Sequence, residues 1–254
     1  MSNAYRRQAR QARLIRTITV SLTLLVLFVP PPTWSQDHHA LHQHAGMSMS
    51  PEKSPQDELL SKQESEGNHH LIGFFVVLGG AFVLAQPILR RRFPAVSYVW
   101  PLCFLLSGLF ILVYSDTELW PFGRKPWIQG TITNPEVIQH KLFAVLLLGL
   151  GLVEMLRARE RLKAVWAAWV FPVVAVGGAV LLLFHSHDAG MQDENQMAIM
   201  ARIQAEHLSY AATGFGIGLT KGLAEVETKW RAIFAKLWPT LMIALGVLLM
   251  FYTE

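Results

Sequence analysis

Residues 181–222 read LLLFHSHDAGMQDENQMAIMARIQAEHLSYAATGFGIGLTKG. An apolar run ends in Phe184, His185, Ser186 and His187, a polar loop leads to Glu206 and His207, and a second apolar run follows. Two hydrophobic segments thus meet the same water interface through histidines. Ionisable side chains at the ends of membrane helices are costly to bury, so these three imidazoles are the first candidates for a site.

The class follows from composition. The 254 residues are 52% hydrophobic and 16% charged, with a mean hydropathy of +0.32, which is too apolar for an ordinary soluble domain. Six apolar runs stand out, at 71–89, 96–115, 137–156, 165–184, 208–223 and 233–252. Each is near the 20 or so residues that a helix needs to cross a bilayer, and none alternates as a barrel strand would. The expectation is an all-α, polytopic membrane helix bundle of six transmembrane helices over 69–254. No internal repeat is visible.

The N-terminus adds an export segment. Arg6, Arg7, Arg10, Arg13 and Arg16 precede an apolar core at 17–29, short for a span, and Pro30, Pro31 and Pro32 end any helix there. Thr33, Trp34 and Ser35 then place small residues where a signal peptidase reads. Residues 1–35 therefore read as a signal peptide or signal anchor, and either one sends 36–68 outside. That segment begins with His38, His39, His42, His44, Met47 and Met49. Imidazole suits Cu(II), Zn and Ni, and thioether favours Cu(I), so the mixture points to copper. A solvated tail with idle histidines is the plain alternative. Residues 50–67 are rich in Ser, Glu, Gln and Lys and read as a disordered linker.

Charge sets the orientation. With the N-terminus inside, sixteen of the 22 Lys and Arg fall on inner segments, and every inner connection is basic, as the positive-inside rule requires. The tail and the C-terminus are then periplasmic and the protein sits in the bacterial inner membrane. The same clustering beside apolar runs explains the pI near 9.3 without nucleic acid as a partner. Cys103 is the single cysteine, so a metal has to be held by His, Met or carboxylate.

All ten histidines then lie outside or at the outer boundary. His70 opens the first mature helix, His140 the third, His185 and His187 close the fourth, and His207 opens the fifth. Helical phase carries each onto a small-residue face: Gly73 and Gly80 below His70, Ala144 and Gly151 below His140, Gly178 before His185, and Ala211, Gly214, Gly218 and Gly222 below His207. Such faces let membrane helices approach closely, which aims the imidazoles inward. Asp116 and Glu118, from the loop before the third helix, can orient imidazoles or add a ligand. Glu154 near the inner end is read as paired with Arg157 rather than as a proton relay. The tryptophans that flank the runs, Trp100 and Trp238 among them, read as an aromatic belt.

No metalloprotease helix, Walker loop or nucleophile elbow is present, and no enzymatic activity is expected. The Gly214, Gly216, Gly218 spacing lies within a membrane run, without the strand that a nucleotide loop needs.

The His/Met tail ahead of a small helical bundle, with Trp120-Pro121-Phe122-Gly123, Gln139-His140-Lys141, Phe184-His185-Ser186-His187 and Glu206-His207, resembles bacterial integral-membrane proteins of the copper-resistance D (CopD-like) family. The resemblance covers about residues 68–254, without the copper-binding β-sandwich appended to some of them. It implies a cytoplasmic-membrane protein that handles copper from the periplasmic side, in resistance, uptake or delivery, with a periplasmic copper carrier as partner. Two other readings use the same residues. Two of the histidines could ligate a b-type haem for electron transfer with a membrane redox partner, or the bundle could be a structural subunit with a metal-sequestering tail.

Overall fold

The structure, a computed structural model, describes residues 55–117, 119, 123–184, 194–226 and 228–253. The signal segment and the His/Met tail lie outside the described residues.

Each apolar run lies within a helix of its own, because in the absence of alternation only a helix satisfies the backbone within one segment. In chain order the helices are α1 (Pro55–Leu89), α2 (Val99–Tyr114), which follows a 3-10 turn at Pro94–Tyr98, and the short α3 (Trp127–Thr133). Then come α4 (Pro135–Ala158), α5 (Ala167–Leu183), α6 (Glu194–Glu225) and α7 (Arg231–Met250). One isolated bridge, Leu119 to Lys125, is the only β pairing among the described residues. The all-α expectation therefore holds.

Two helices extend well beyond their apolar runs. α1 begins at Pro55, so residues 55–67, read as disordered linker, are helical. They bury little, and Leu59 and Leu60 are more than half exposed. Lys, Glu and Gln are good helix formers, and this turn-by-turn preference needs no core once the apolar part has nucleated the helix. α6 likewise starts at Glu194 rather than at 208.

Three helices are long and apolar enough to cross a membrane, Lys62–Leu89, Pro94–Tyr114 and Arg231–Met250, and Ala167–Leu183 is apolar but shorter. Their apolar side chains face outward to a large extent, Phe74, Leu109 and Val247 among them, a surface compatible with lipid. α4 and α6 have lower hydropathy because they carry charges, and these charges turn inward: Lys141, Glu154 and Lys221 are each less than 9% exposed.

The six long helices form a closed ring in chain order, each packed on the next, with α2 meeting α4 and α7 returning to α1. Neighbours are antiparallel and meet on small residues. A Cβ on Gly108 would stand 2.9 Å from the Ala144 carbonyl, and one on Gly151 would stand 2.9 Å from the Leu105 nitrogen, which fixes the α2–α4 seam. Gly214, Gly218 and Gly222 face Ala179, Val176 and Trp169 across the α5–α6 seam. Gly73 and Gly80 do the same against Gly246 and Pro239 of α7. The small faces traced below His70, His140 and His207 are thus helix-packing faces, as phase predicts.

Within the ring, Trp100, Phe104, Phe171 and Trp238 pack edge to face, with centroid separations from 5.1 to 6.3 Å. Trp100 and Trp238 are under 9% exposed and belong to the core rather than to an aromatic belt, whereas Trp166 and Trp230 are half exposed as a belt requires. Beside this plug Arg157 donates to Glu154 at 2.7 and 3.0 Å, stands 3.6 Å from Glu225, and Lys221 pairs with Glu225 while lying over the Trp238 ring. Glu154 is therefore neutralised by Arg157, the pairing expected from its position near the basic end.

Candidate functional site

The antiparallel ring brings the start of α1, α4 and α6 and the finish of α2, α5 and α7 to one end. All the described histidines are there: His69, His70, His140 and His207. The opposite end holds Arg90, Arg91, Arg92, Arg157, Lys221 and Arg231.

One group of polar side chains lies on the α2–α4 seam. Asn134 caps α4 by accepting from the Glu136 nitrogen at 3.0 Å, and Pro135 fits the first helical turn. This start delivers His140 and Lys141 to the C-terminal end of α2 one turn later. There Asp116 Oδ1 accepts from His140 Nδ1 at 3.0 Å, and Oδ2 accepts from Lys141 Nζ at 2.6 Å and from the Ser115 hydroxyl at 2.5 Å. Lys141 also donates to the Leu112 carbonyl at 3.0 Å, where a helix C-terminus favours a cation. Leu119, packed on Gly130, holds α3 so that the Trp127 ring lies 5.5 Å from the ammonium. Burial pushes the Asp116 carboxyl up, but the hydrogen bond and charge of His140, with the bonds from Lys141 and Ser115, outweigh it and hold the pKa below the usual carboxylate range.

A second group lies where α1, α6 and α7 meet. His69 Nδ1 donates to the Ser65 carbonyl at 2.8 Å, and His207 Nδ1 donates to the Ile203 carbonyl at 2.9 Å. Both acceptors lie one turn earlier on the same helix. The two rings are 6.4 Å apart, centroid to centroid, at 72°. Tyr252, fully buried, stacks on His69 at 3.9 Å and meets His207 edge-on at 6.4 Å. His70 Nε2 donates to the Tyr252 carbonyl at 3.0 Å, and Arg202 donates to the Thr253 carbonyl at 2.9 Å, so the end of the chain is tied down over this group.

The residues proposed from sequence thus divide. Asp116 and His140 come together, His207 joins a different seam, and His70 is bonded to the backbone beside it. Glu118, His185, His187, His38, His39, His42, His44, Met47 and Met49 lie outside the described residues. Among the described residues no three His, Cys, Asp or Glu side chains come close enough together to hold a metal ion. Sequence reasoning passed over His69 and Tyr252. His69 stands four and seven residues before Gly73 and Val76 on the α1 packing face, the same phase signal that was followed from His70 alone.

In each group the imidazole Nδ1–H is committed to a fixed acceptor, a carboxylate for His140 and a backbone carbonyl for His207 and His69. In the neutral ring the lone pair is then on Nε2, the arrangement that orients an imidazole for metal ligation. No family model, curated protein or solved structure matches the chain.

Proposed function

We propose that the protein is a six-span inner-membrane protein that binds a transition metal, copper, at its periplasmic end, in copper resistance, uptake or delivery. The observation that carries this reading is the segregation of the described histidines to one end of the ring, with the Nδ1 atoms of three of the four committed to fixed acceptors. The exported His/Met segment would collect the ion, and His140 with Asp116, and His207, would receive it, with His70, His185, His187 and Glu118 as further candidates at the same boundary. The likeness to the copper-resistance D family supports the same reading. A periplasmic copper carrier fits as donor or acceptor.

The orientation is tested first. A reporter fused after Glu254 should be active in the periplasm, and one inserted at 158–162 should be active in the cytoplasm, given the basic residues on that side. The reverse activities would remove the periplasmic site. The metal reading is tested by copper titration of the purified protein. Deleting 37–49 should lower the copper stoichiometry and leave a tighter class of site intact. Loss of all binding on deletion would confine the function to the tail, and a strong haem absorption band in the purified protein would move it to electron transfer.

A further inference from the structure

Arg90, Arg91 and Arg92 follow one another where α1 ends and the chain turns towards α2. The turn prolongs the helix, since the Arg90 nitrogen donates to the Gln86 carbonyl at 2.9 Å and the Phe93 nitrogen to the Leu89 carbonyl at 2.8 Å. Helical phase therefore places Arg91 on the same stripe as Leu84 and Ile88. Other cations at this end are matched inside the protein: Arg157 meets Glu154 and Glu225, and Lys221 meets Glu225. The exposed guanidinium groups of Arg90 and Arg91 have no carboxylate partner among the described residues. With Gln86 and Pro87 they line an open cleft of about 480 Å³, within the range of about 300–1,000 Å³ of small-ligand sites. Its wall is fixed, because Gln86 Nε2 donates to the hydroxyl of the buried Ser97 at 3.1 Å. Large apolar side chains stand beside these charges. Ile88 is 78% exposed and Phe93 57%, at the point where the membrane-length helix Lys62–Leu89 ends.

We propose that Arg90 and Arg91 bind the headgroup phosphate of an anionic phospholipid in the leaflet at the basic end of the ring, with its acyl chains along Leu84 and Ile88. The proposal needs α1 to cross the membrane and is independent of the copper reading. A guanidinium fork matches phosphate oxygens two at a time, which a lysine ammonium does not. A soluble anion would answer the charge and leave Ile88 in water. A lipid answers both, because its phosphate and its hydrocarbon are joined at the same depth as the arginines and the apolar stripe. The carboxyl end of a helix favours cations in any case, so the test has to separate a built site from bare charge.

The test measures binding of radiolabelled phosphatidylglycerol to the purified full chain in micelles of a neutral detergent, with unlabelled phosphatidylcholine and inorganic phosphate as competitors. The salt is held at about 0.15 M, where charges more than about 8 Å away are largely screened. Phosphatidylglycerol should bind at least about 10-fold more tightly than phosphatidylcholine, each basic residue near an anionic lipid being worth about fivefold. Arg90→Gln/Arg91→Gln should remove that preference. Arg90→Lys/Arg91→Lys keeps the charge and loses the fork, and should still bind at least about threefold more weakly than the parent. Arg159→Gln/Arg161→Gln makes the same change of charge with two exposed arginines of the α4–α5 connection, and should stay within about twofold of the parent. Equal losses in the two glutamine pairs would overturn the site and leave only the general field of the basic end. A lysine pair as tight as the parent would overturn it likewise, as would equal affinity for the two lipids. Displacement of the lipid by inorganic phosphate at comparable concentration would overturn the lipid as ligand and assign the cleft to a soluble anion.

Discussion

Gly246→Leu should abolish the fold of the ring or destabilise it by about 3 kcal/mol or more, at or beyond the upper end of the usual cost of overpacking. Gly246 of α7 and Gly73 of α1 face each other where the two helices cross. A Cβ on Gly246 would stand 2.6 Å from the Gly73 carbonyl oxygen and 2.7 Å from the Val77 nitrogen, and a Cβ on Gly73 would stand 2.6 Å from the Gly246 oxygen. Those are backbone atoms, which cannot rotate away as a side chain does, so the helices would have to part. Two turns further along, Gly80 meets the Pro239 carbonyl in the same way, and at the histidine end the seam carries the contacts of His69 and His70 with Tyr252. Parting α1 from α7 therefore loosens those contacts as well. Gly149→Leu is the control, since a Cβ there meets nothing within 4 Å and leucine is the better helix former by several tenths of a kcal/mol. Thermal unfolding in detergent decides: equal midpoints for the two variants would show that α1 and α7 do not meet at this register.

That seam was legible in the sequence as small residues at helical spacing, and so was most of the fold. The six apolar runs became six long helices because length and lack of alternation leave no other backbone solution in an apolar setting. The helix ends were not legible. Residues 55–67 and 194–207 are polar, and whether such a stretch continues a helix depends on propensity that composition alone does not resolve. Trp100 and Trp238 lie near the ends of their runs, where belt and core positions share one hydropathy, and only the packing against Phe104 and Phe171 separates the two. In the site, phase located the faces of His140 and His207 but not their partners. The choice between His69 and His70 turns on 100° of helix rotation, and the approach of Tyr252 comes from a seam between the first and last helices, a contact with no local signature. Asp116 was legible as a partner for imidazole. Lys141, one residue beyond the histidine, was not, because a lysine at a membrane boundary reads as a snorkelling surface residue until a buried carboxylate is found beside it.

The second large effect is expected at that carboxylate. Asp116→Ala should cost about 3–5 kcal/mol, the usual loss when one member of a buried ion pair is removed and the other is left uncompensated. Lys141 is 8% exposed and has Asp116 Oδ2 at 2.6 Å as its anionic partner; its bonds to the Leu112 carbonyl and the Ser115 hydroxyl, at 3.0 and 3.3 Å, do not neutralise its charge. The double variant Asp116→Ala/Lys141→Met removes the stranded ammonium and should regain most of the loss, since replacing a whole buried pair by apolar groups is often neutral. The pH dependence has a definite sign. The Asp116 carboxyl is held below its ordinary range, so the native state favours the charged form and the stabilisation is fully present above the unfolded aspartate value of about 3.9. It is lost as the pH falls below about 4 and through the lower native value, where the folded protein also takes up the proton. The unfolding midpoint of the parent should thus converge on that of Asp116→Ala below about pH 4 and stay above it at neutral pH. A constant gap across that range would mean that Asp116 stabilises the α2–α4 seam by packing and not by charge. If the gap closes as expected, copper affinity measured on Asp116→Asn at neutral pH reports on His140 alone. The amide can still accept the Nδ1–H bond without its charge, so an unchanged affinity would place the metal on the other seam.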